Sequence, residues 1–509
     1  MSEIIDNRKI ARNTLYLYLR MIISMVVSLY TSRVIIQVLG IDDFGIYNIV
    51  GGVIVLFSFV STSLKNSTQR FLSYQLGKND NEELNRVMSM SLQCHIIFAA
   101  IFVLLSLTVG LWFVVEKLNI PESRSQAAVV VYCVSVITFL FSIFQAPYQA
   151  AIISHEKMSF YALISIFDVV LKLVIVFALL LSKGDKLIIY SLLVLLVTLV
   201  SLLLAMVYCY KKLPYKRPVY IKDKSLFNQF FGYTGWSMFS GCAYIGAQQG
   251  GNILVNIFNG VAANGAFGIA NQVTNILYSF VSNFQSAFNP QIVKSYSAGQ
   301  SRDMLTLVNR TSYFSYYIFL IIALPALVKI DYLLALWLGS VPEYASNFCR
   351  LLLIYFLVDS FEAPLWMLIG ATGKMRVYSL WLGLITLMNI PISWILLKLG
   401  CSIYWVFIVR VIINIVIALI RPFHLRLLVP SFSIRAYCKE ALKRPVIVTT
   451  ILVPVVYCVQ KFLNTLHPLV VIIGLVIVSV LLIWTLGLKK SDRLVLVNLI
   501  KEKYCKKHG

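Results

Sequence analysis

The chain has 509 residues, 59% of them hydrophobic and 13% charged, with 44 Lys and Arg against 21 Asp and Glu. Soluble domains carry about 25% charged residues and fewer apolar ones, so a soluble enzyme is excluded. A net charge of +23 does not indicate nucleic acid either, because the basic residues sit in short links between apolar runs, as in helical membrane proteins.

Taken in chain order, a polar, basic start (1–13) leads into an apolar stretch long enough to span, which suits a signal-anchor helix. About fourteen such runs follow one another, each able to cross roughly 30 Å of hydrocarbon. Six are expected over 14–36, 46–64, 90–115, 127–153, 160–181 and 187–210. After a basic link come 233–258, 266–288, 312–330, 349–369, 377–397 and 403–428, and then a last pair over 446–466 and 469–488. The fold class is therefore an all-α polytopic membrane protein. Its organisation reads as a six-helix lobe (1–210), a basic cytoplasmic linker (211–226), a second six-helix lobe (227–430), a two-helix hairpin (431–488) and a basic cytoplasmic tail (489–509).

The charge alternation tests this segmentation, since misplaced spans would scramble it. One side of the membrane receives 32 Lys and Arg, with Arg421 and Arg426 at the end of the twelfth span counted among them; the other receives six: Lys117, Arg124, Lys183, Lys186, Lys398 and Lys461. By the positive-inside rule both termini are expected in the cytoplasm.

The chain also repeats itself. Phe44-Gly45-Ile46 recurs as Phe267-Gly268-Ile269, Phe59-Val60-Ser61 as Phe280-Val281-Ser282, and Ser73-Tyr74 with Gly77 as Ser295-Tyr296 with Gly299, at offsets of 223, 221 and 222. Six spans separate the copies, so the two lobes are expected to share one orientation, with a pseudo-two-fold axis along the membrane normal. The final helix pair lies outside the repeat.

Charged groups at a helix centre cost roughly 2.5–3.5 kcal/mol or more unless they face protein or water, so each one asks for a reason. Arg20 and Arg33 lie towards the two ends of the first span, and snorkelling to the headgroups is the plain reading. In the fifth span Asp168 and Lys172 stand at i,i+4 with Tyr161 and Ser165 on the same stripe, a self-neutralising pair or an ion-linked one. Span ten carries Tyr355, Asp359, Glu362 and Trp366, the carboxylates just before Pro364, which can bend the helix; the sequence leaves these two carboxylates without a neighbour of opposite sign. Asp168, Asp359 and Glu362 are the candidate ion-coupling residues. Arg410 and Asn414 make a similar polar face on span twelve.

Spans seven and eight are the most polar. Gln249, Asn252, Asn256 and Asn259 follow one another at helical spacing, among Gly235, Gly241, Gly246, Gly250 and Gly251; Asn271, Asn275, Tyr278, Ser282, Gln285 and Asn289 repeat the pattern. Carboxamides both donate and accept, matching sugar hydroxyls, although amides also join helices. Ser58, Thr62, Lys65 and Gln69 form the counterpart stripe in span two. Several signals fail. Gly370-Ala371-Thr372-Gly373-Lys374 has the wrong glycine spacing for a phosphate loop and Met375 where Ser or Thr is needed. No HExxH occurs, the nine cysteines form no CxxC pair, and no loop is long enough for a catalytic domain. No catalytic residue, metal or cofactor is expected.

The opening stretch 13–45, with its Arg-bearing first helix ending in Val38-Leu39-Gly40-Ile41-Asp42-Asp43-Phe44-Gly45-Ile46-Tyr47, and the stretch 69–77 with its echo 291–299, resemble bacterial O-antigen and capsule repeat-unit flippases. These belong to the multidrug/oligosaccharidyl-lipid/polysaccharide exporter superfamily. The resemblance implies a V-shaped bundle with a central cavity, alternating access in the bacterial inner membrane, and export of an undecaprenyl-pyrophosphate-linked O-antigen, capsule or exopolysaccharide unit. Membrane lipids, a glycan polymerase and a chain-length regulator are the implied partners, and nucleic acid is not. Family members hold the pyrophosphate with cationic cavity residues: Arg20 matches the first-helix position, and Lys65, Lys172 and Arg410 are further candidates. Spans seven and eight depart from the pattern by carrying amides and no arginine, which shifts weight to sugar recognition by Gln249, Asn252, Asn256, Asn271, Asn275 and Gln285. Two other readings stay open: a cation-coupled small-molecule antiporter of the same superfamily, or a membrane ligase or polymerase acting on lipid-linked glycans. A lipid II flippase is a third possibility within the family.

Overall fold

The computed structural model describes residues 7–40, 43, 46–47, 50–51, 54, 57–116, 121–339, 341–462 and 467–494. Parts of the expected second span and of the 38–47 motif, the side chain of Arg33, Lys117 and the tail beyond 494 lie outside them. The described elements are helices: α1 (Asn7–Leu39), α2 (Ser58–Lys78), α3 (Asn81–Glu116), α4 (Glu122–Ser154), α5 (Met158–Leu181) and α6 (Lys186–Lys212). They continue with α7 (Lys224–Ser297), α8 (Ser301–Leu338), α9 (Ala345–Thr372), α10 (Met375–Lys398), α11 (Trp405–Leu428), α12 (Ile434–Val459) and α13 (Pro468–Gly487). Ten of these, α3 to α6 and α8 to α13, are long and apolar enough to cross a membrane. Large side chains left exposed on them, such as Leu104, Leu163, Leu196 and Leu419, present apolar surface that suits lipid.

Local chemistry sets the helix ends. Asp80 starts α3 by accepting the Glu83 N–H (3.0 Å), and Asp185 starts α6 by accepting those of Leu187 (3.0 Å) and Ile188 (3.3 Å). Two helices stop in the same way. α2 ends with the N–H groups of Asn79 and Asp80 folded back on Leu76 and Gln75, and α7 with those of Gly299 and Gln300 folded back on Tyr296 and Ser295. Asn79 (φ 56°) and Gly299 (φ 71°) take the left-handed conformation that such a closure needs.

The two spans expected over 233–258 and 266–288 are two helical stretches that meet at a kink at Gly260, with φ 76° and ψ −172°; the label α7 covers both. Only glycine tolerates that geometry readily. α10 breaks at Met388, where Pro391 supplies no N–H to the Leu387 carbonyl.

The chain forms two compact units, one over Ala11–Gly241 and one over Cys242–Gly509 with the first residues of α1, so the main division falls inside α7. In the first unit α4 packs against α2, α3 and α6, and α5 against α6; the core centres on Leu64, Phe102, Tyr132, Val136 and Ile143. In the second, α9 is held between α8 and α11, around Phe348, Leu352 and Phe407. Glycines let α7 approach α10 closely here: a Cβ at Gly250 would fall 2.5 Å from Ile390 Cδ1. The C-terminal helix pair docks on α8 through tyrosines: Tyr313 bonds Asp492 (2.6 Å), Tyr316 bonds Thr449 (2.6 Å), and Tyr317 donates to the Gly487 carbonyl (3.2 Å).

Candidate functional site

Each unit carries polar side chains within its apolar helices. In the first, α1, α2 and α5 bring together Arg20, Lys65 and Tyr161. Arg20 Nη1 donates to the Tyr161 hydroxyl (3.3 Å) and its guanidinium lies 5.0 Å from the centre of that ring. Lys65 is close enough to bear electrostatically on the same hydroxyl. Both cations are half-buried. Two turns along α5, Asp168 is engaged by Lys172 (2.8 Å) and by Ser201 Oγ from α6 (3.2 Å). The expected i,i+4 pair therefore forms and is anchored on the next helix, leaving Arg20 and Lys65 as the cations gathered at Tyr161.

At one end of the same unit Arg124 is clasped between Asp43, through Nε (2.8 Å) and Nη2, and Asp185, through Nη1 (2.6 Å). The clasp gives a physical reason for the acid in the 38–47 motif: it ties the chain after α1 to the starts of α4 and α6. Arg124 is thus an ion-paired residue as well as a topological charge.

In the second unit the carboxylates of α9 have the opposite-sign neighbours that the sequence reading denied them. Arg421 of α11 lies 2.8 Å from Glu362, with both side chains under 10% exposed. Asp359 accepts a hydrogen bond from the Tyr278 hydroxyl on α7 and feels Arg421 and Arg410. Arg421, assigned to a cytoplasmic link from sequence, is instead a buried partner inside the helix bundle. A signal for it existed: Arg410, Asn414 and Arg421 recur at +4 and +7, one face of α11. Arg410 stacks 4.5 Å from the centre of the Tyr355 ring, and Asn414 Nδ2 donates to the Tyr355 carbonyl (3.0 Å). Glu362 also walls a mostly apolar cavity of about 320 Å³, together with Tyr316, Phe361, Leu365, Pro422 and Tyr437. Its Oε1 meets no hydrogen-bond donor among the described residues.

The amide stripes divide. Gln249, Asn256 and Asn275 are exposed and Asn252 is half-buried. Asn271 spends its Nδ2 on the Phe267 carbonyl one turn back (3.1 Å). Gln285 does not face an open slot: it is buried and donates to Ser315 Oγ (3.1 Å) and to the Ser360 carbonyl (3.3 Å), joining α7 to α8 and α9. Interhelical glue explains Gln285 fully. No group of three or more metal-ligating side chains occurs among the described residues.

Comparison with known proteins places this geometry. A family model described as a polysaccharide biosynthesis protein matches residues 10–296, and a second, MatE, matches residues 237–395. The uncharacterized membrane protein EpsK of Bacillus subtilis (strain 168) is 22% identical over 363 residues, 70% of each chain. Among solved structures, a MATE transporter in the bent conformation superimposes with a TM-score of 0.71 at 13% identity, covering 84% of this chain and 98% of the other. A superfamily transporter from Pyrococcus furiosus, described as having a binding pocket of reversed polarity, gives 0.66 at 14% identity, with 84% and 96% covered. These structural likenesses show the MATE-like helical fold.

Proposed function

The chain belongs to the polysaccharide biosynthesis protein family of the multidrug/oligosaccharidyl-lipid/polysaccharide exporter superfamily and is a multi-pass membrane transporter; from that premise we propose that it is a flippase for an undecaprenyl-pyrophosphate-linked oligosaccharide. The observation that carries this reading is the approach of Arg20 to Tyr161, with Lys65 bearing on the same hydroxyl: two half-buried basic groups among apolar helices. A diphosphate offers such a pair charge-assisted hydrogen bonds. The exposed amides Gln249, Asn256 and Asn275 remain available to sugar hydroxyls, which cannot cross hydrocarbon unaided.

In this reading the glycan passes by alternating access from the cytoplasmic to the outer leaflet of the inner membrane, both termini stay in the cytoplasm, and an ion gradient acting through Asp359 or Glu362 supplies the energy. A polymerase and a chain-length regulator would receive the flipped unit. The carboxylates and the apolar cavity at Glu362 favour a second reading, a cation-coupled antiporter for small apolar cations. Purified protein in proteoliposomes separates the two. The flippase reading expects transbilayer movement of the lipid-linked oligosaccharide, slowed about tenfold or more in Arg20→Ala and measurably in Asn275→Leu. Absence of movement, together with gradient-driven efflux of a small organic cation, would overturn it.

A further inference from the structure

Between α6 and α7 the chain runs without regular secondary structure over 213–223, yet it is fastened along its length to the first turns of α3. Asn85 Nδ2 donates to the Pro214 carbonyl (3.3 Å), and Asn85 Oδ1 accepts the Lys216 N–H (2.8 Å). Further along, the Val219 N–H donates to Ser89 Oγ (3.3 Å). At the far end Arg86 holds Asp223 (2.8 Å). The Leu226 N–H, which Asp223 caps (2.9 Å), and then Arg86 keep that carboxyl below the usual carboxylate range. Leu213 and Tyr215 turn inward and are buried, with Tyr215 edge-on to His155.

What the strap leaves outward is of one kind. Lys211, Lys212, Lys216, Arg217, Lys222 and Lys224 are all exposed, and the one acid between them, Asp223, is already paired. Val219 and Tyr220 also point outward, at 65% and 74% exposure. An apolar pair this bare, flanked by cations and pinned from behind, does not suit bulk water. The strap begins at the basic end of α6, a helix long and apolar enough to cross a membrane, which sets it near headgroup depth, where tyrosine is enriched and basic residues find phosphates.

We propose that the 211–224 strap is a docking site for anionic phospholipid headgroups, its lysines and Arg217 on the phosphates and Val219 and Tyr220 seated in the interface. Because the hydrogen bonds to α3 hold the backbone in place beforehand, little ordering entropy is lost when lipid binds. The inference needs only the membrane-spanning architecture and does not depend on what the protein transports.

The test uses full-length protein in nanodiscs of phosphatidylcholine with increasing phosphatidylglycerol, reading lipid retention by native mass spectrometry and the unfolding temperature. Wild type should prefer phosphatidylglycerol, and the preference should fall as salt is raised. The K216Q/R217Q/K222Q variant should lose roughly fivefold per charge removed, and Tyr220→Ser should weaken retention without altering charge. Equal unfolding temperatures in pure phosphatidylcholine establish that the variants fold. A preference unchanged in the triple variant or insensitive to salt overturns the proposal. So does stabilisation by inorganic pyrophosphate to the same degree in wild type that is lost in the triple variant, which would make the strap a site for a free anion.

Discussion

Gly110 closes a widened turn of α3, Ser106–Gly110, whose Ser106 carbonyl accepts both the Leu111 N–H and the hydroxyl of buried Tyr132 (2.8 Å). A Cβ at position 110 would fall 2.0 Å from that hydroxyl oxygen and 3.2 Å from the ring carbon bearing it. Gly110→Ala should therefore destabilise the protein by about 1–3 kcal/mol, read as a lowered unfolding temperature in detergent. Adding Tyr132→Phe, which deletes the clashing oxygen, should restore part of the loss; no restoration would refute the steric account. The Glu362–Arg421 pair gives a second test at this scale. Removing one partner leaves a buried charge uncompensated, at a cost of about 3–5 kcal/mol, so Glu362→Gln and Arg421→Met should each destabilise strongly. The double variant Glu362→Leu with Arg421→Met should be more stable than the worse single one. That Glu362 and Asp359 sit on one helix face was legible from their spacing; the pairing was not, because Arg421 arrives from α11, 59 residues further on.

For whole elements, α7 joins features that the sequence displayed separately. Its glycines, read as companions of the amide stripe, include one, Gly250, where a Cβ would fall 2.5 Å from Ile390 of α10. Gly260 interrupts the helix with a backbone geometry that costs other residues about 1–3 kcal/mol. Gly260→Ala is expected to lower thermal stability by that order, whereas Gly265→Ala, with ordinary helical geometry and open space around its Cβ position, should be neutral or slightly stabilising. Equal effects at the two sites would show that the break is not conformationally demanding. Helical period also limits what a stripe means. Gln285 and Asn275 share the polar pattern of the eighth span, but one is buried among Ser315 and Ser360 and the other exposed. Spacing assigns residues to a face, and only the neighbouring helix decides whether that face is covered.

For the molecule as a whole, the charge alternation predicts that the α6–α7 strap and the link before α6 lie on opposite sides of the membrane. In a background without the nine native cysteines, Tyr220→Cys should be labelled by an impermeant maleimide only from the cytoplasm and Lys183→Cys only from outside; the reverse result would invert the orientation. The helical membrane class, the six-six-two span order and the repeat were determined by the sequence itself. Hydrocarbon forces every backbone polar group to be satisfied within a helix and confines most charge to the links, so length, hydropathy and Lys/Arg placement carry that information directly. What the tertiary structure alone decided is which polar groups find each other: Arg20 with Tyr161, Asp43 with Arg124, Asp359 with Tyr278, Glu362 with Arg421. Each pair joins segments between 59 and 141 residues apart, and such contacts depend on how helices pack side by side, which no local period encodes.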